Sequence, residues 1–170
     1  MLTPEQIAKS GTEHAHQAAL MQWGSMVWKH EEWWLMHAIP NGGGRTMSVG
    51  AQMKAEGVRK GVPDLSWPIR RFNPSFDLGT VINGDHYSGL YLEMKKPKTV
   101  SGTKRGSLSR EQVTFLNELR GQGFAVAVAW GWQAAAWVVY EYEAGRLAMP
   151  KDELYLLAAE CDAPPPVVGR

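Results

Sequence analysis

Two short stretches of the sequence carry residues that could cleave a phosphodiester. Residues 61–65 place Asp64 directly after a proline, and residues 90–95 place Glu93 and Lys95 two positions apart in an apolar run. Carboxylate oxygens are the ligands that hard divalent cations prefer. An ammonium group can stabilise the charge that develops on a phosphate, or orient the attacking water. These three side chains are therefore candidates for metal-dependent hydrolysis.

The spacing within residues 90–95 predicts a strand. Because side chains alternate along a strand, Glu93 and Lys95 would project to one side and Met94 to the other, into the core. An alternative places Glu93 and Lys95 on an exposed edge strand, and Asp64 could be a simple turn residue after its proline. A carboxylate inside an apolar run is costly unless it is paired or bound to a metal, which favours the site.

Composition indicates one soluble globular domain. Of the 170 residues, 44% are hydrophobic and 21% are charged, as in ordinary globular proteins. We expect one domain over residues 1–162, with its core at about 13–142, and a disordered tail at 163–170. The single cysteine, Cys161, excludes internal disulfides and a cysteine zinc site. No signal peptide is evident, and the longest apolar stretch, Phe124–Tyr140, is interrupted, so we expect a cytoplasmic protein without a membrane span.

Local signals predict helices followed by alternating strands and helices. Thr12 resembles an N-cap, and Ser109 with Gln112 fits a capping box. The order indicates an α/β fold, with a small mixed β-sheet flanked by helices. The predicted helices cover residues 13–20, 23–34, 48–57, a segment after Ser109, 133–142 and 152–160. The predicted strands cover residues 65–69, 90–95 and 124–130. Residues 70–88 would be a long hairpin or insertion, and residues 41–45 and 96–108 would be loops.

An ordered set of motifs over about Glu13–Tyr142 resembles the virus-type replication-repair nuclease (VRR-NUC) family, a branch of the PD-(D/E)-x-K superfamily. Asp64 and Glu93 are further apart than in the compact family pattern, and the insertion at 70–88 accounts for the difference. The resemblance implies a restriction-endonuclease-like core preceded by N-terminal helices. The matching segments are Glu13 with Gln17, residues 39–45, 54–57, 61–65 and 92–95, and Ser107–Ser109 with Gln112.

The resemblance also implies roles for individual residues. Asp64 and Glu93 would be the principal ligands of Mg²⁺ or Mn²⁺, with the Met94 carbonyl as a backbone ligand. Lys95 would be the catalytic ammonium. Glu13 would add an acidic group that reaches the metal directly or through water, or would only be a favourable acidic residue in a first helical turn.

Gln112 has two readings, since it matches a family glutamine and the capping box also explains it. The implied activity is hydrolysis of DNA phosphodiesters. The chain resembles the small standalone phage members, which are similar to Holliday-junction resolvases and act as homodimers on branched DNA; a phage protein would work in the cytoplasm of its bacterial host. A flap or end-processing nuclease and a non-catalytic DNA-binding module are the alternatives.

Basic residues flank the proposed metal site. With a net charge of +1, any DNA-binding surface has to be a local patch. Neutralising phosphates releases counterions, so basic loops beside the site favour contact with the DNA backbone, although such runs can also be solvated loops. The candidate DNA-contacting residues are Arg45, Lys54, Arg59, Lys60, Lys96, Lys98, Lys104 and Arg105.

Two further residue types bear on partners. The five histidines lack close metal spacing, so we expect surface or DNA-contact roles for them rather than a zinc site. Four tryptophans fall between Trp23 and Trp34. We expect this aromatic segment to contribute to a symmetric dimer interface.

Overall fold

The computed structural model describes residues 1–28, 31–40, 47–75, 85–98, 104–150, 155–158, 161 and 163–165. The elements of these residues follow one another along the chain as mixed helices and strands. They are helices α1 (Pro4–Ala8), α2 (Glu13–Val27), α3 (Met47–Ala55), α4 (Arg110–Gly121) and α5 (Trp132–Glu143), a 3₁₀ helix (Glu31–Leu35), and strands β1 (His37–Ala38), β2 (Leu65–Trp67), β3 (Arg71–Phe72), β4 (His86–Tyr87), β5 (Leu90–Lys95), β6 (Ala125–Trp130) and β7 (Leu156–Ala158).

A five-stranded mixed sheet in the order β1-β2-β5-β6-β7 carries the fold. Strands β1, β2 and β5 pair antiparallel, whereas β5, β6 and β7 pair parallel. The predicted α/β architecture, with a small mixed sheet flanked by helices, is confirmed. Each residue of β6 is buried, as expected for a parallel strand covered on both faces.

Local capping signals in the sequence locate two of the helices. The Thr12 hydroxyl accepts a hydrogen bond from the Ala15 amide at the start of α2. At the start of α4, the Ser109 hydroxyl accepts from the Gln112 backbone amide.

Residues 70–88 contain the antiparallel pair β3–β4, which fits the predicted hairpin. Among the described residues, no helix is long and apolar enough to cross a membrane.

The tryptophan-rich segment is not one continuous helix, and this prediction is wrong. Helix α2 ends before Trp28, whose backbone is extended (φ −106°, ψ 105°). Trp33, in the 3₁₀ helix, stacks on Trp28, with ring centroids 5.2 Å apart. Trp23, Trp28 and Trp33 are all buried within the chain, so these three cannot form the predicted dimer contact. Only Trp34 of the four is exposed, at 74%.

The prediction of a terminal helix over 152–160 is also wrong for its described part. Leu156–Ala158 form β7, which pairs parallel with Ala127–Ala129. Pairing with the free edge of β6 outweighs the weak helical pattern of this segment. Further on, the Ala163 carbonyl accepts a hydrogen bond from the Trp137 indole, and residues 166–170 of the predicted tail lie outside the described residues.

His16 is buried, contrary to the expected surface role. Its Nδ1 accepts a hydrogen bond of 3.3 Å from the Trp132 amide, which joins α2 to the first turn of α5. Gly131, the N-cap of α5, offers no side chain for this purpose. His16 therefore satisfies a helix N-terminal amide, and only a neutral imidazole can do so.

We expect acid to destabilise the protein through His16. Burial lowers the pKa of His16 below its ordinary value of 6.5. Below about pH 6.5 the unfolded chain therefore binds a proton that the folded chain excludes, and stability falls by up to about 1.4 kcal/mol per pH unit until the folded pKa is reached. His16→Asn keeps an acceptor but does not titrate. Urea unfolding between about pH 7.5 and 5.5 should show a shallower loss in this variant; equal pH dependence in both proteins would contradict the assignment.

Candidate active site

Glu93 and Lys95 lie in the middle of the sheet, not at its edge. Strand β5 has β2 on one side and β6 on the other. Glu93 is 1% exposed and Lys95 is 5% exposed. Lys95 Nζ lies 2.7 Å from Glu93 Oε1. The exposed-edge alternative is therefore wrong, and the two side chains form a buried ion pair.

Asp64 joins this pair because β2 and β5 diverge at its position. The strand register ends with Leu65 opposite Leu92. One residue earlier, the Asp64 carboxylate accepts a hydrogen bond of 2.8 Å from the Met94 amide. The Asp64 carbonyl accepts from the Ile39 amide at 2.8 Å. The side chain thus takes the place of a backbone partner at the point where the strands separate.

Gln112 forms the predicted cap and also contacts Glu93, while its catalytic role stays a prediction. Its Oε1 accepts from the Ser109 amide at 2.9 Å, completing the capping box. Its Nε2 donates to Glu93 Oε1, the same oxygen that contacts Lys95. The start of α4 therefore holds the Glu93 carboxylate in place from the helix side of the sheet.

Glu13 reaches the site from the first turn of α2. Its Oε1 lies 4.0 Å from Lys95 Nζ and accepts a hydrogen bond of 3.5 Å from the Lys96 amide. Glu13 therefore contacts the lysine side of the cluster. In the part of the chain that the structure describes, no three His, Cys, Asp or Glu side chains form a metal-binding group, so a ligand role for Glu13 stays a prediction.

The electrostatics of the cluster favour an additional positive charge. Burial raises the pKa of Glu93 to about 7, and the nearby Asp64 charge also raises it, whereas Lys95 lowers it. Burial likewise raises the pKa of Asp64, whereas the hydrogen bond from the Met94 amide and the charge of Lys95 lower it. Glu93 Oε2 is buried without a hydrogen-bond partner among the described residues.

These residues fit a divalent cation. Two adjacent carboxylates, one with a buried oxygen that lacks a donor, match the oxygen ligands of Mg²⁺, which often uses one or two carboxylates plus water and substrate phosphates. A cation would also offset the desolvation of both carboxylates. The predicted use of the Met94 carbonyl as a ligand stays a prediction.

The basic residues occupy different surroundings. Lys54, Arg59, Lys60, Lys98 and Lys104 have exposed side chains, and Lys96 is half-buried. Lys60 lines a groove of about 410 Å³ together with Arg110 and Glu111 at the start of α4, beside Gln112.

Two of the predicted DNA-contacting arginines differ from these basic residues. Arg105 is exposed and stacks on the Trp130 ring, with its Cζ 3.5 Å from the centroid. Arg45 lies outside the described residues.

Sequence reasoning missed two residues beside Lys95. Trp130, at the end of β6, pairs in register with Lys95, and its indole donates to the Gly106 carbonyl at 2.7 Å. A tryptophan at the end of an apolar strand is the only signal in the sequence, and it does not distinguish this role from core packing. Gly106 lies in a polar loop, and nothing in the sequence distinguishes it from an ordinary loop glycine.

Comparisons with known proteins bear on the family and the fold. The sequence model of the VRR-NUC domain family matches residues 3–132. No curated protein matches the sequence significantly. A solved structure described as a VRR-NUC domain protein is similar, with a TM-score of 0.56 and 21% identity over 81% of this chain and 92% of that one. At this identity the structural similarity establishes the fold alone.

Gly61→Ala should destabilise the loop that carries Asp64. Gly61 has φ +84°, and a methyl group there would lie 2.4 Å from the Glu111 carbonyl. Gly57, with φ +99° and open space, is a matched control for the backbone strain alone. We expect Gly57→Ala to cost about 1–2 kcal/mol and Gly61→Ala about 1–3 kcal/mol more. Urea unfolding measures both, and equal losses would mean that the loop does not abut α4.

Proposed function

The chain belongs to the VRR-NUC family of nucleases, and we propose that it hydrolyses DNA phosphodiester bonds with Mg²⁺ or Mn²⁺, as a structure-selective endonuclease of the Holliday-junction-resolvase type. The observation that carries the proposal is the cluster of Asp64, Glu93 and Lys95. Glu93 and Lys95 form a buried ion pair. Asp64, which is distant in the sequence and half-buried, lies close enough for its charge to raise the pKa of Glu93.

The cluster supports hydrolysis through its charges. Asp64 and Glu93 would hold the cation, which when bound lowers the pKa of water and polarises a phosphate. Lys95 supplies a fixed ammonium beside Glu93 Oε1. That ammonium is preorganised to stabilise negative charge on the phosphate as the bond to the leaving oxygen breaks.

Surrounding residues hold these groups at fixed positions. Gln112 Nε2 donates to Glu93 Oε1, which fixes the carboxylate rotamer. The Met94 amide fixes Asp64 Oδ2. Such support restricts the carboxylates before substrate arrives, and it limits the reorganisation needed during the reaction.

DNA would be bound through its backbone. The exposed residues Lys60 and Arg110 would contact phosphates at the groove beside the start of α4, which Glu111 and Glu118 also line. Contacts of this kind position DNA without reading its bases, so selectivity would depend on DNA shape. Paired cuts in opposed strands need two active sites, and we include a homodimer in the proposal because a symmetric dimer of this chain supplies both.

Divalent metal should stabilise the wild-type protein. A ligand that binds only the folded state raises the free energy of unfolding by about 2.7 kcal/mol at 100 times its Kd. Mn²⁺ should therefore raise the Tm, and Asp64→Asn should remove most of this shift. Asp85→Asn, which changes an exposed carboxylate beside His86, should keep it. An equal shift in the two variants would contradict metal binding by Asp64.

Cleavage of labelled four-way junction, flap and linear duplex DNA tests the activity. We expect paired symmetric nicks on the junction with Mg²⁺ or Mn²⁺ and none with EDTA. Lys95→Ala should lower the cleavage rate by at least about 100-fold, since it removes a transition-state charge contact, while DNA binding measured by gel shift persists.

Each other result has a defined meaning. Cutting of flaps or ends alone would retain the nuclease and reject the resolvase. Binding without cutting in either metal would favour a non-catalytic DNA-binding module. A monomeric mass by light scattering, with the junction still cut symmetrically, would reject the homodimer.

A further inference from the structure

The described end of the loop after β5, residues 104–108, crosses the stem of Lys95. Gly106 makes the closest approach, since a methyl group on it would lie 3.0 Å from Glu13 Oε1 and 3.3 Å from Lys95 Cδ. Its φ is not in the left-handed region. Glycine suits this position because it leaves room for the neighbouring side chains. The Gly106 backbone lies directly against the stem of Lys95.

Three contacts fix Gly106 and its neighbour in this place. The Gly106 amide donates to the Lys96 carbonyl at 3.1 Å. The Gly106 carbonyl accepts from the Trp130 indole at 2.7 Å. Arg105 stacks over the same indole ring, 3.5 Å from its centroid, a distance at which a guanidinium is attracted to the ring face.

Trp130 is suited to this task by its place in the sheet. It is the residue opposite Lys95 in the parallel pair β5–β6, and it is 7% exposed. The next residue, Gly131, donates its amide to the Lys95 carbonyl at 3.0 Å. One end of β6 thus holds the backbone of Lys95 and also the loop that covers its side chain.

We propose that Trp130, acting through Gly106, is a positioning residue for Lys95. The inference rests on the proposed nuclease function, because it assigns Lys95 as the catalytic ammonium. The Gly106 backbone lies against the lysine stem and limits its rotamers, so the ammonium stays against Glu93 Oε1. Without the indole hydrogen bond, the Gly106 carbonyl would turn to water and Lys95 would gain alternative rotamers.

Trp130→Phe tests the hydrogen bond while it keeps a ring for Arg105. Trp137→Phe is the matched control, since its indole donates to the Ala163 carbonyl at 3.0 Å on another part of the chain. We expect Trp130→Phe to lower kcat roughly 10- to 100-fold with KM changed by less than about twofold, because the transition-state contact alone is displaced. Trp137→Phe should leave both constants unchanged. Equal kcat values in the two variants would overturn the inference.

Gly106→Ala tests the second half of the inference, the contact of the loop with Lys95, and keeps the hydrogen bond from Trp130. The methyl group would displace the Glu13 carboxylate and crowd Lys95 Cδ, so kcat should again fall while KM is retained. This variant keeps the inference testable if Trp130→Phe fails to fold, as judged by circular dichroism and Tm. Wild-type kcat in a folded Gly106→Ala protein would overturn it.

Acetylation of lysine with acetic anhydride, followed by peptide mass spectrometry, gives a readout that needs no cleavage. In the wild type, Lys95 should react far more slowly than the exposed Lys9. In Trp130→Phe its rate should rise about tenfold, the change that one lost hydrogen bond makes to a local opening equilibrium. If the wild type cuts no DNA, the proposed function fails, and this measurement still decides the positioning role: an unchanged Lys95 rate would overturn it.

Discussion

The burial of a carboxylate–ammonium pair in the centre of a sheet is the constraint on which the rest of this structure depends. Glu93 and Lys95 are almost fully buried and 2.7 Å apart. Removing two charges from water costs several kcal/mol per ion, and their attraction offsets this cost only when further contacts satisfy them. Gln112 supplies one such contact, yet Glu93 Oε2 is left without a partner among the described residues. An uncompensated desolvation cost of this kind is typical of a functional site, and a bound cation would compensate for it.

The sheet topology explains why the cluster forms where it does. Strand β5 lies between an antiparallel and a parallel neighbour, and its pairing with β2 begins at Leu65, one residue after Asp64. The opening next to this pairing exposes a backbone amide, that of Met94, which the Asp64 side chain takes up. On the opposite side, the end of β6 supports Lys95 through Gly131. The acidic and basic halves of the site are therefore fixed by two different neighbouring strands.

Much of the fold could be predicted from local signals. Caps at Thr12 and Ser109 and the apolar runs of β5 and β6 are local features, and the structure has the predicted elements there. The terminal strand β7 could not be predicted, because it depends on pairing with the edge of β6. The end of α2 before Trp28 could not be predicted either, since the tryptophan spacing suits a helix and the stacking of Trp28 on Trp33 is a tertiary contact.

The sequence by itself determined the chemistry of the candidate site: two carboxylates and a lysine, with Glu93 and Lys95 on one face of a strand because side chains alternate. It also located Gln112 at the start of a helix, without deciding between a cap and a site residue. Only the tertiary structure decided that the capping Gln112 also donates to Glu93, that His16 is buried, and that Glu13 lies near Lys95. These contacts join residues far apart in the chain, and strand pairing and helix packing set their distances, which no local pattern records.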